Sequence, residues 1–345
     1  MTSPASDNAA LHETARAIVA DHKGILAADE STGTIKKRFD SIGVESTEEN
    51  RRFYRQLLFA APGMEESIGG VILYDETIRQ SADDGTPFPE LLASKGVIPG
   101  IKVDTGAHDM ALFPGEKVTE GLDGLRARLE EYRGLGARFA KWRAVITIGD
   151  GIPTDACIAA NAHALARYAA LCQEAGLVPI VEPEVLMDAD NTLETCWEVT
   201  TRTLHETFDQ LYDLALDLEG TLLKPNMVIA GKGCPEQPGA ERIAQATVDC
   251  FLGVVPAAVP GIVFLSGGQS EVQATENLNA INKIGGPWPL SFSYGRALQA
   301  SALTAWAGDP ANAEAAQAVF VHRARMNSLA VAGEWSAELE QAVTA

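Results

Sequence analysis

The chain has 345 residues, 46% of them apolar and 21% charged, and its 47 acidic against 27 basic side chains give a net charge of −20. That is the composition of a soluble globular protein, and its sign excludes nucleic acid as a default partner, because a phosphate backbone would be repelled. No apolar run approaches the ~20 residues that span a bilayer, and the N-terminal stretch lacks a basic start and an apolar core, so neither a membrane span nor a secretory signal is expected. The five cysteines, Cys157, Cys172, Cys196, Cys234 and Cys250, are scattered and form no Cys-x-x-Cys pair. Free thiols in a reducing cytoplasm are expected, not a disulfide frame or a zinc site. An acidic chain binds an anionic metabolite only through a local pocket of cations, so the placement of the few Lys and Arg residues becomes the functional question.

In chain order, residues 1–8 are small and polar and are expected to fray. Ala9 to Ala20 sets Leu11, Ala15, Ile18 and Val19 at helical spacing. Short apolar strands then alternate with amphipathic helices. The strand candidates are Gly24–Asp29, Gly70–Asp75, Pro99–Asp104, Arg138–Val145, Val178–Glu184, Thr221–Met227, Ile262–Ser266 and Leu290–Tyr294. Their near-continuous Ile, Val, Leu and Phe runs suit parallel strands covered by helices. Helical patterns lie between them: one capped by Thr154 and stopped at Gly176, then Leu193–Leu216, Ala240–Leu252, Glu271–Ile284, Ala297–Ala307 and Ala311–Leu329. Eight strands alternating with helices, without a linker, predict one α/β domain over 1–345, a (β/α)8 TIM barrel. Val331 to Ala345 has weak pattern and is expected to be a mobile tail.

Lys224 interrupts the apolar stretch Gly220 to Val228. Desolvation disfavours an ammonium there, and a neutral lysine amine is a nucleophile that condenses with a ketone to a Schiff base. A lysine snorkelling from a strand end is the other reading. Polar residues also collect at the other strand ends, and in a barrel those ends converge on one mouth. Asp29 ends the first strand, and Lys102 and Asp104 close the third. Lys141 and Arg143, two apart, share one face of the fourth, as Glu182 and Glu184 do in the fifth. Two carboxylates on one face repel, which raises one pKa and suits a general acid. A salt-bridge layer filling the barrel is the alternative. Ser266-Gly267-Gly268 and Tyr294-Gly295-Arg296, at the ends of the last two strands, look like phosphate cradles, where glycine admits close backbone N–H approach. Thr34, Lys37 and Arg38 suggest a second phosphate site, or a solvated helix face. His12, His22, His108, His163, His205 and His322 show no paired metal-ligand spacing, so no metal is expected.

These residues resemble those of class I, Schiff-base fructose-1,6-bisphosphate aldolases. The similarity runs from about Gly24 to Leu329, and rests on Gly24-Ile-Leu-Ala-Ala-Asp-Glu-Ser-Thr-Gly33, Phe139-Ala-Lys-Trp-Arg143, Val181-Glu-Pro-Glu184, Leu218-Glu-Gly-Thr-Leu-Leu-Lys-Pro-Asn-Met227, Phe264-Leu-Ser-Gly-Gly-Gln-Ser270 and Phe292-Ser-Tyr-Gly-Arg296. The resemblance implies a cofactor-free, metal-independent aldolase of glycolysis and gluconeogenesis, cytoplasmic and tetrameric. By the same resemblance Lys224 forms the Schiff base, Glu182 is its general acid/base and Glu184 tunes it. Asp29 takes the C4 hydroxyl proton, and Lys141 keeps the site cationic. Lys102, Arg143, Ser266, Gly267, Ser293, Gly295 and Arg296 hold substrate oxygens and phosphates, with Lys37 and Arg38 at the second phosphate and Thr34 where many members have serine. Many members end in a tyrosine that assists enamine proton transfer; Glu334 to Ala345 contains none. A Schiff-base aldolase for another phosphorylated ketose, or a non-catalytic scaffold on the same barrel, are the competing functions. The choice between fructose 1,6-bisphosphate and fructose 1-phosphate is left open.

Overall fold

The computed structural model describes residues 4–343, with side chains from 8 to 341. The strands are β1 (Gly24–Ala28), β2 (Ile68–Leu73), β3 (Ile98–Lys102), β4 (Gly106–Asp109), β5 (Lys117–Glu120), β6 (Phe139–Ile146), β7 (Val178–Val185), β8 (Leu222–Leu223), β9 (Ile262–Phe264) and β10 (Leu290–Tyr294). Eight of them close into a parallel barrel in the order β1-β10-β9-β8-β7-β6-β3-β2, while β4 and β5 pair as a separate antiparallel hairpin. The expected barrel is therefore present. The hairpin between β3 and β6 was missed, because its Gly-Ala-His-Asp and Lys-Val-Thr-Glu sequences lack the apolar content of a buried strand.

Every residue of β7 is buried, as a strand covered on both faces requires. Side chains inside the lower barrel are apolar: Ile25, Ile72, Phe139, Val178, Ile180, Leu222 and Val263 form one cluster with Leu11, Ala15, Ile18 and Val19. Leu11, Ala15 and Ile18 belong to the first helix, Pro4–Ile18, and Val19 follows it directly, so this segment plugs the barrel's N-terminal end. That helix begins at Pro4, inside the stretch expected to fray. Its seat is fixed by His12 Nε2 against Asp217 Oδ2 at 2.6 Å and Arg16 Nη2 against Glu219 Oε2 at 2.8 Å. An added Cβ on Gly69 would collide with the Ile18 carbonyl oxygen, so β2 approaches the plug only because it has no side chain there.

The sixth barrel strand is shorter than its sequence suggested. It ends at Leu223, which puts Lys224 just past the strand and not in its middle. Pro225 has no N–H for the ladder. The backbone continues by other means: Lys224 N donates to Val181 O at 2.8 Å, Leu265 N to Pro225 O at 3.0 Å, and Val185 N to Asn226 Oδ1 at 2.9 Å. Thr154 caps Asp155–Glu174 as expected, accepting from Cys157 N. The tail of weak pattern is docked by isolated contacts: Trp335 N donates to Asn279 Oδ1 at 3.1 Å, Trp335 Nε1 to Glu340 Oε1 at 2.7 Å, and Arg323 pairs with Glu340.

Candidate active site

Past the apolar layers the barrel opens, at the C-terminal ends of its strands, into a cavity of about 600 Å³. Each site residue named from the sequence lines it: Asp29, Thr34, Lys37, Arg38, Lys102, Lys141, Arg143, Glu182, Glu184, Lys224, Ser266, Gly267, Ser293, Gly295 and Arg296. Strand register brings the charged ones together. Lys102 stands beside Lys141, Arg143 beside Glu182 and Val145 beside Glu184.

At the floor four titratable side chains form a chain, with Lys224, Glu182 and Lys141 buried and Asp29 partly so. Lys224 Nζ is 3.2 Å from Glu182 Oε1, Glu182 Oε2 is 3.2 Å from Lys141 Nζ, and Lys141 Nζ is 2.7 Å from Asp29 Oδ2. Burial opposes the charge on Asp29, but Lys141, Lys224 and Lys102 outweigh it and hold the carboxyl well below the ordinary range. Glu182 is likewise penalised by burial and pulled below its usual value by Lys141, Lys224 and Arg143. Burial works against the Lys141 ammonium, and Asp29, Glu182 and Asp104 more than compensate, so it stays charged.

The expected repulsion between Glu182 and Glu184 therefore does not set the site. Glu184 has its own partner in Arg143, and the cations around Glu182 lower its pKa instead of raising it. Glu182 rests as an anion and must receive a proton before it can give one.

The upper cavity is lined by the two glycine loops, Ser293 and the start of two helices. Gly267 has φ +59° and Gly268 φ +91°, a turn that side-chain-bearing residues rarely adopt. Ser293 Oγ is buried and has no hydrogen-bond partner among the described residues, so it is free for a substrate oxygen. Gly295 precedes the helix Arg296–Trp306. Across from it, Ser31 precedes the helix Thr32–Asp40, which carries Thr34, Lys37 and Arg38.

Glu30 escaped the sequence reading. It is buried between Asp29 and Ser31, pairs with Arg38, takes Arg55 Nη2 at 2.6 Å and accepts from Gln299 Nε2 at 3.1 Å. It ties the helix Thr32–Asp40 to the helix Arg296–Trp306. Burial opposes its charge, and Arg38 and Arg55 together still lower its pKa. No spacing signals it, because its partners lie 8, 25 and 269 residues away. Among the described residues no group of three or more His, Cys, Asp or Glu is placed to hold a metal ion.

A buried lysine beside a carboxylate, under two glycine-containing loops at the mouth of a TIM barrel, is the equipment of a carbonyl-condensing enzyme. The family model for class I fructose-bisphosphate aldolase matches residues 10–345. A probable class 1 fructose-bisphosphate aldolase of Xanthomonas campestris is 60% identical over 94% of this chain and 98% of that protein. Fructose-bisphosphate aldolase C-B of Danio rerio is 53% identical over 94% of this chain and 90% of its own length. The fructose-bisphosphate aldolase of Plasmodium falciparum, solved in complex with TRAP and a small molecule inhibitor, superposes with a TM-score of 0.95 at 49% identity, covering 97% of this chain and 98% of that one. The chain belongs to the class I fructose-bisphosphate aldolase family. It is a metal-independent aldolase that works through a lysine Schiff base.

Proposed function

We propose that this cavity cleaves fructose 1,6-bisphosphate reversibly to dihydroxyacetone phosphate and glyceraldehyde 3-phosphate, with Lys224 as the Schiff-base lysine. The observation that carries the reading is the unbroken Lys224–Glu182–Lys141–Asp29 chain, which joins a nucleophile, a proton carrier, a fixed cation and a base.

The neutral Lys224 amine attacks C2 of the ketone. Glu182, resting as a carboxylate 3.2 Å away, takes the proton that Lys224 sheds in becoming neutral; the adding nitrogen passes its own proton to the ketone oxygen, and the Glu182 carboxyl then protonates the carbinolamine hydroxyl, which leaves as water. The resulting iminium draws the C3–C4 bonding pair toward nitrogen while the Asp29 carboxylate accepts the C4 hydroxyl proton, and glyceraldehyde 3-phosphate departs. The enamine is protonated at C3, and hydrolysis of the iminium frees dihydroxyacetone phosphate. Lys141 stays charged throughout and keeps Asp29 and Glu182 anionic. Lys102, Arg143, Ser266, Gly267, Ser293, Gly295 and Arg296 hold substrate oxygens and one phosphate; Thr34, Lys37 and Arg38 hold the other, with Glu184 orienting Arg143 and tuning Glu182. The setting we propose is cytoplasmic, in keeping with five unpaired cysteines. The assembly we propose, on resemblance, is a homotetramer.

Borohydride added with substrate reduces the Schiff base and leaves Lys224 irreversibly labelled, read by peptide mass. A label on another lysine, or activity lost to a chelator, overturns the assignment. Lys224→Met abolishes activity and labelling and leaves the circular dichroism spectrum unchanged.

A further inference from the structure

The loop after β9 draws more positive charge than the reading above assigns to it. An ideal Cβ on Gly268 would lie 2.8 Å from Lys232 Nζ and 3.0 Å from Arg296 Nη2. The two cations thus close on one point of the Gly267–Gly268 turn. Arg296 is the first residue of the helix after β10, and Lys232 comes from the irregular segment after β8. The Lys232 segment is fixed by its backbone: Gly231 N donates to Asn191 O, Lys232 N to Met187 O and Gly233 N to Ala189 O, each at 2.8 Å. Lys232 Nζ is held by Asp188 Oδ1 at 2.6 Å, and Asp188 lines the cavity. The Arg296 side chain has no ion-pair or hydrogen-bond partner among the described residues.

Two cations converging on a positive-φ glycine turn repel unless an anion lies between them. A carboxylate paired with a lysine in solvent is a weak competitor, whereas a phosphate brings close to two charges and three acceptor oxygens. Leu265 N donates to Pro225 O at 3.0 Å, so the turn after β9 is the immediate neighbour of Lys224. The phosphate it receives is the one next to the condensing ketone.

We propose that Lys232 is a further substrate-binding residue that sets specificity for a phosphorylated ketone, clamping its phosphate with Arg296 over the Gly267–Gly268 turn. Asp188 is the positioning residue: it holds Lys232 at the rim and releases it when the dianion enters. The proposal rests on the reading of Ser266–Gly268 and Gly295–Arg296 as a phosphate cradle.

The test compares Lys232→Met, Lys232→Arg and Asp188→Asn, with Arg296→Ala as a reference for the cradle itself. Lys232→Met raises KM for fructose 1,6-bisphosphate and the inhibition constant of inorganic phosphate about tenfold, the scale of one charge-assisted hydrogen bond. It leaves kcat within about twofold, and Lys232→Arg restores most of the loss. Borohydride trapping of dihydroxyacetone phosphate weakens in Lys232→Met, while trapping of unphosphorylated dihydroxyacetone is unchanged. Asp188→Asn lowers the phosphate inhibition constant. If Lys232→Met leaves KM and phosphate inhibition unchanged while Arg296→Ala loses both, Lys232 lies outside the subsite and the cradle stands. If Arg296→Ala also changes nothing, the cradle reading falls and this proposal with it. Equal loss of trapping with both ketones marks a structural role and overturns the proposal.

Discussion

At the scale of single residues, Lys141 decides the protonation of the site. It lies between two buried carboxylates, 2.7 Å from Asp29 and 3.2 Å from Glu182, and both have depressed pKa values on its account among others. Removing one partner from a buried charge cluster costs about 3–5 kcal/mol, because the remaining charges lose their compensation. Lys141→Met is therefore expected to destabilise the protein by that order at pH 7. Its carboxylates then titrate higher, so protonation relieves them, and the deficit shrinks in urea melts at pH 5. A constant deficit across that range would show that the lysine acts through packing alone. In the same variant the acid limb of kcat/KM moves to higher pH, since Asp29 and Glu182 lose their anionic forms earlier.

Secondary-structure elements carry a different constraint, the close approach of backbones. The first helix seats under the barrel because Gly69 leaves room for the Ile18 carbonyl. Gly69→Ala overfills that contact and is expected to cost on the order of 1–3 kcal/mol, measured by thermal melting. An unchanged melting temperature would mean that the helix is not seated there. The short β8 has a comparable logic. Pro225 ends the ladder, and the Asn226 side chain replaces the missing bond with one to Val185 N at 2.9 Å. Asn226→Ala leaves that buried N–H unpaired, at a cost of about 1–3 kcal/mol, and loosens the segment that carries Lys224. A fall in kcat alongside the lower stability, seen in steady-state kinetics, is the expected outcome.

For the whole molecule, stability follows the sum of such buried carboxylates. Asp29, Glu30 and Glu182 all titrate lower when folded than their ordinary values of 3.8 and 4.5. A depressed carboxyl contributes its stability fully above its unfolded pKa, and that contribution is lost as pH falls through the folded one. Acid unfolding followed by circular dichroism is accordingly expected to steepen below about pH 4, where the unfolded chain begins to take up protons that the folded one refuses. Lys141 has the opposite sign: its contribution is present below its unfolded pKa and is lost only as pH rises through its raised folded value.

The sequence by itself determined the eightfold alternation, the strand-end positions of the charged residues and the two glycine loops. These are local patterns: apolar runs of strand length, a period of two along β6 and β7, and turn chemistry that glycine alone satisfies. Tertiary structure decided the rest. It placed Lys224 beyond its strand instead of inside it, and it gave Glu182 and Glu184 separate cations, so that Glu182 titrates low and mutual repulsion does not make it an acid. Glu30 and Lys232 became legible only once barrel closure had brought partners from distant helices and loops beside them. Electrostatic effects depend on distance in space, and a linear sequence records that distance only for neighbours within a turn or a strand.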